Sequence, residues 1–140
     1  MKRVDLFVAN DAEARGLTGE HNLIKAAKAL FCLGPKLIVV KKGEHGVLFY
    51  SERFMFSFPA YPVEHVAEPT GAGDTFAGGL MGYLSKANKL DEKSLKRAVL
   101  YGTTMASFNV EGFGMENTEN LTFVKVAKRM REFIKFMSFK

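Results

Sequence analysis

The 140-residue sequence predicts an α/β fold with a mostly parallel sheet, one β-hairpin and flanking helices. Three observations predict it. Strand-like and helix-like segments alternate in the first half, and helices dominate the second. Leu37 to Val40 is short and wholly apolar, as suits a strand buried on both faces of a parallel sheet. A glycine-rich turn then opens directly onto a helix, a place where α/β proteins hold anions.

The elements follow in order. Val4 to Val8 alternates weakly and reads as a strand. Asn10, with Glu13 three residues on, reads as the capping box of a short helix that Gly16 or Gly19 ends. A second helix is expected from about His21 to Leu33, with Leu23, Ala26, Ala27, Leu30 and Phe31 on one face and Gly34-Pro35 stopping it. Cys32 on that helix is expected to be a small core residue. After the Leu37–Val40 strand, Lys42 to Gly46 forms a turn. Val47 to Tyr50 and Phe54 to Phe58 pair across Ser51-Glu52-Arg53, and Pro59 and Pro62 impose an extended crossing. Three helices complete the chain. The first is expected from about Asp74 to Lys86, with Phe76, Leu80, Tyr83 and Leu84 on its apolar side. The next runs from about Asp91 to Phe108 through Leu95, Ala98, Val99, Gly102 and Ala106. The last runs from about Asn120 to Phe136, with a stripe of Phe123, Val126, Met130, Phe133 and Met137 that fits packing on the sheet.

Composition narrows the function. Hydrophobic residues make up 47% and include 13 Phe, ample for a core and too much for global disorder. The single cysteine allows no intrachain disulfide, and no secretory signal is recognisable, so a reducing cytoplasm is expected. No apolar run approaches a membrane span. His21, His45 and His65 lack zinc-ligand spacing and are expected to be surface or structural residues. The net charge of +5 lies in residues 121–140, where Lys125, Lys128, Arg129, Arg131, Lys135 and Lys140 face Glu132 alone. On an amphipathic helix those charges form a solvated face. A nucleic-acid-binding tail is the weaker reading, because no nucleic-acid motif accompanies them.

The chemistry lies in Glu68-Pro69-Thr70-Gly71-Ala72-Gly73-Asp74-Thr75-Phe76. Glycines let the chain turn tightly and let a ligand approach the amides. A helix start adds unpaired N–H groups and a partial positive charge, which together suit a phosphoryl group. An ionised carboxylate at Asp74, beside such a site, can take a proton from an attacking alcohol. A plain loop with an N-cap aspartate would look the same locally. Gly78, Gly79 and Gly82 inside the following helix argue for more, since each costs roughly 1 kcal/mol relative to alanine and implies close packing. Neither a G-x-x-x-x-G-K-[ST] loop nor a G-x-G-x-x-G fingerprint is present, and no protein-kinase signature occurs.

Pro69 to Phe76 resembles the C-terminal signature of the PfkB/ribokinase family of carbohydrate and nucleoside kinases. Other segments resemble that family in order: Asn10-Asp11-Ala12-Glu13 its N-x-x-E motif, Lys41 to Gly46 its nucleotide loop, and Ala106 to Gly114 the segment closing over adenine. The resemblance runs from about Val4 to Phe113. It implies a ribokinase-like, Rossmann-type layered fold and ATP-dependent phosphoryl transfer to a hydroxyl of a sugar or nucleoside. Asp74 would be the general base, and Gly71, Ala72 and Gly73 the anion hole. Asn10 and Glu13 would hold Mg2+ and phosphates through water. Lys42, Gly43 and Gly46 would line ATP, and Gly102 would approach adenine. Glu68 and Thr70 would sit by a monovalent cation such as K+, with Glu68 standing where Asp is usual. Family kinases begin with an N-terminal half that supplies sheet strands, acceptor contacts and a lid. This chain opens on a mid-fold strand, so residues 1–140 are expected to be the C-terminal ATP-binding part, not competent alone.

Blander readings stand beside these. Asn10 and Glu13 can be a cap only, and Lys41 and Lys42 ordinary surface lysines. The rival function is a small non-catalytic protein that binds nucleotide or a partner through an exposed sheet edge. That partner would be an N-terminal half or a second copy.

Overall fold

The computed structural model describes residues 1–67, 70–112 and 122–139. They fall into two compact units, 1–60 and 61–140.

The first unit is a four-stranded sheet with two helices. β1 (Leu6–Asn10) leads into α1 (Asp11–Thr18) and α2 (Leu23–Cys32), then β2 (Leu37–Lys41), β3 (Val47–Ser51) and β4 (Met55–Phe58), in sheet order β1-β2-β3-β4. Only β1 and β2 run parallel; β2–β3 and β3–β4 are antiparallel. The sheet is thus mixed, where mostly parallel pairing was expected. Connection length is the reason. Residues 11–36 leave room for a helical crossover between β1 and β2, whereas residues 42–46 and 52–54 allow only reversals.

Ile38 and Val40 of β2 and Leu48 of β3 bury against Ala14, Ala26, Ala27 and Leu30 of the helices. Val39 and Phe49 alternate to the other face. There Phe49 stacks on its cross-strand partner Phe56 at 4.6 Å. The expected hairpin forms, with Ser51 as its clasp. Its N–H and its hydroxyl both donate to the Phe54 carbonyl, and its Oγ accepts from Phe54 N–H.

The second unit is helical among its described residues: α3 (Ala72–Ala87), α4 (Glu92–Glu111) and α5 (Phe123–Met137). α3 and α4 meet through two glycines. A Cβ on Gly79 would stand 3.1 Å from Gly102 Cα, and one on Gly102 would stand 2.8 Å from the Phe76 carbonyl oxygen. The close packing expected of three glycines is therefore carried by Gly79. Gly78 and Gly82 have nothing within 4 Å of a Cβ.

Capping explains the starts. Asn22 caps α2, Asp91 caps α4 and Thr122 caps α5. The residue Asn120, expected at the start of α5, lies outside the described residues. α3 begins two residues before the expected Asp74, and α4 runs three beyond Phe108. Two packing expectations fail. Cys32 is exposed, because it sits two residues, about 200° of helix rotation, beyond buried Leu30. Phe123, at the first helical position of α5, is 80% exposed, while Val126 and Phe133 of the same stripe are buried. The stripe was expected to pack on the sheet; within its own unit α5 packs on α4, and Phe133 meets Tyr61 edge-on at 5.6 Å.

Candidate active site

The first unit gathers its candidate residues at one end of the parallel pair. Asn10 and Lys41 are register partners at the carboxyl ends of β1 and β2. Ligands of α/β sheets bind at such ends. Asn10 and Glu13 form a reciprocal capping box: Glu13 N–H donates to Asn10 Oδ1 at 2.7 Å, and Asn10 N–H donates to Glu13 Oε2 at 2.9 Å. Both residues are exposed, and the box engages only one Glu13 carboxylate oxygen. Lys42 leads into a 3-10 turn over Gly43–His45, closed by Lys42 N–H donating to the Gly46 carbonyl at 2.7 Å. Gly46, at φ 94°, has its α-carbon against Phe58 and Pro59, so no side chain fits there. Lys42 is half-buried, with Nζ 3.5 Å from Ser57 Oγ.

The second unit holds the turn before α3. Gly71 is left-handed at φ 87°, a conformation that favours glycine. Its carbonyl accepts from Thr75 N–H at 2.9 Å and from Thr75 Oγ1 at 3.0 Å, closing the first turn. Among the described residues no side chain caps this helix start, and the N–H groups of its first turn lie at the positive end of the helix dipole. Asp74 lies in that turn and is exposed. These are features of an anion site with an acidic group at its rim.

Other candidate residues fall differently. Gly102 is buried in the α3–α4 contact against Phe76, a packing role that accounts for the glycine without a ligand. Glu68 lies outside the described residues, as do 113 and 114 of the segment expected over adenine. The rest of that segment is the last part of α4. The Thr70 carbonyl accepts from the Asn109 side chain at 3.1 Å.

Asn109 was missed by sequence reading. It is buried on α4, and with Thr103, Thr104 and Ser107 on the same stretch of helix its polarity did not single it out in the sequence. Arg129 was read as part of a solvated face. Instead its guanidinium forks onto Glu111, 3.0 and 3.1 Å to the two carboxylate oxygens. It also donates to Ser107 Oγ and lies 3.7 Å over the Phe108 ring.

Solved structures define the class first: a ribokinase-like α/β fold. The chain is 28% identical to aminoimidazole riboside kinase from Salmonella enterica at a TM-score of 0.78, over 90% of this chain and 42% of that one. It is 28% identical to ribokinase from Thermotoga maritima at a TM-score of 0.79, over 93% of this chain and 43% of that one. The model for pfkB family carbohydrate kinases matches residues 1–121, and the chain belongs to that family. Among curated relatives, cytidine kinase from Thermococcus kodakarensis is 40% identical over 94 residues, 66% of this chain and 34% of that protein. The chain thus spans about a third of that relative's length.

Proposed function

We propose that the chain is the ATP-binding, base-carrying part of a kinase that phosphorylates a hydroxyl of a sugar or nucleoside. The observation that carries this reading is the Gly71 turn, opening α3 onto uncapped amides with Asp74 in the first turn. Family membership supports it, and cytidine kinase and aminoimidazole riboside kinase point to acceptors of the nucleoside kind.

ATP with Mg2+ would supply an activated γ-phosphoryl group and shield its charge. The amides of Gly71, Ala72 and Gly73 offset the negative charge that develops during transfer. Asp74 accepts the acceptor's hydroxyl proton as the new O–P bond forms and the bond to ADP breaks. Lys42, Gly43 and Gly46 line the nucleotide. Asn10 and Glu13 keep their capping box, and the Glu13 carboxylate oxygen that the box leaves over would help hold Mg2+ through water. On the family resemblance, Thr70 and Glu68 would sit by a monovalent cation such as K+. Acceptor contacts come from polypeptide of the kind that fills the rest of the relatives' length, so these 140 residues bind ATP with little turnover of their own.

Calorimetry with ATP and Mg2+, beside a phosphotransfer assay on a sugar and nucleoside panel, tests this. Expected are ATP binding and weak turnover, with Asp74→Asn lowering that turnover at least about a hundredfold while binding persists. Absence of ATP binding overturns the reading. Robust phosphorylation insensitive to Asp74→Asn overturns the role of Asp74.

One observation favours a second reading, a non-catalytic partner-binding protein. β1 pairs on one side only among the described strands, and its Leu6, Phe7 and Val8 are half-buried where β2 is buried. An open edge strand is a template for pairing. Sedimentation discriminates: a monomer across concentration counts against self-association, and concentration-dependent dimers without ATP binding favour it.

A further inference from the structure

We infer that Asn109 is a positioning residue for the Thr70–Gly71 turn, setting the amides that would receive the γ-phosphoryl group; the inference rests on the anion-site reading above. Asn109 stands on α4, is 4% exposed, and reaches across 39 positions of sequence. Its Nδ2 donates to the Thr70 carbonyl at 3.1 Å, and its Oδ1 lies 3.3 Å from Thr75 Oγ1. The amide orientation is dictated by chemistry, since a carbonyl can only accept. The Thr75 hydroxyl has one proton, shared between Gly71 O at 3.0 Å and Asn109 Oδ1. One side chain therefore grips the turn on both sides of Gly71: Thr70 before it, and Thr75 at the end of the helical turn it opens.

The geometry at Gly71 shows how near the grip is. A Cβ on Gly71 would stand 3.7 Å from Asn109 Nδ2 and 3.8 Å from Oδ1. A parallel tether comes from the backbone, where Ala67 N–H donates to the Val110 carbonyl at 3.0 Å. The end of α4 thus anchors the approach to α3 at two successive residues. Position 109 needs both a donor and an acceptor, so no apolar residue can replace asparagine in this function. Catalytic preorganisation depends on such support, because a donor displaced by an ångström loses its value to the charge it serves.

Two variants test it. Asn109→Ala removes both hydrogen bonds and raises helix preference, while Asn109→Leu removes both and keeps the branch at Cγ. The readouts are the 15N–1H resonances of Gly71, Ala72, Gly73 and Thr75, and the affinities for ATP and for ADP with Mg2+. Expected are shifted or broadened turn resonances and an about tenfold loss of ATP affinity relative to ADP, with ADP affinity unchanged. A merely structural role would lower both affinities together. Unchanged turn resonances overturn the inference, as does an intact ATP preference on a perturbed turn. Loss of fold in both variants also overturns it, since Asn109 is then a folding residue. A wild-type chain that binds ATP and ADP equally overturns the anion-site reading itself, and the positioning role with it.

Discussion

At the scale of the residue, glycines inside the two packed helices α3 and α4 do opposite things. Gly102 has its Cα against Phe76 and Leu80, so a methyl group there would meet backbone at 2.8 Å. Gly82 has open space around the same position. Gly102→Ala is expected to destabilise by about 1–3 kcal/mol through forced separation of α3 and α4. Gly82→Ala is expected to stabilise by about 0.4–1 kcal/mol, since it only restricts the unfolded chain. Denaturant titration of both reads the contrast. In sequence these glycines look alike, as residues that weaken a helix; only the neighbour distinguishes them. Asp91 shows the opposite case, a role fixed locally. The Ser94 hydroxyl and then the Ser94 N–H hold its carboxyl below the usual range. A lowered folded value means that its stabilisation is present above the unfolded value and is lost as pH falls through the folded one. Asn at position 91 caps as well but carries no charge. Asp91→Asn is expected to lower the melting temperature at neutral pH, with the gap closing below about pH 4.

At the scale of the element, the basic helix α5 divides its charges. Lys125, Lys128, Arg131 and Lys135 are exposed, as the charge pattern implied. Arg129 turns inward and joins α5 to the end of α4 through Glu111, Ser107 and Phe108. It also lies 4.8 Å over Tyr61, whose hydroxyl donates to Glu132 at 3.2 Å. Burial raises the Tyr61 phenol above its ordinary value, with Arg129 opposing the shift. Arg129→Met keeps much of the stem and removes the fork. Its expected cost is about 1–3 kcal/mol, between an exposed pair and a fully buried one, read by thermal unfolding. In the sheet, β2 and β3 each have a neighbour on both sides. Ile38→Ala should cost about 2–5 kcal/mol, because it empties a fully buried site.

At the scale of the whole molecule, each unit has its own logic. The first, 1–60, is set by short-range signals. The Asn10–Glu13 box, the Lys42–Gly46 turn and the Ser51–Phe54 clasp each span five residues or fewer, and the box, the turn and the hairpin, though not the clasp, were legible in the sequence. So was the α/β class, because periodicity and connection length are properties of the chain itself. The mixed character of the sheet follows from the same lengths. The Gly71 turn and Asp74 were legible for a related reason: a left-handed residue at a helix start requires a particular residue type at one position. What the tertiary structure decided lies farther apart along the chain. Gly102 became a packing residue because Phe76 and Gly79 lie against it. Arg129 left the solvated face because Glu111, 18 positions away, was within reach. Asn109 acquired its turn from 39 positions away. Local hydrogen bonding and backbone conformation are fixed by neighbours in sequence, and so the sequence determined them. Burial and side-chain pairing depend on which helix faces meet, and only the folded chain brings those together.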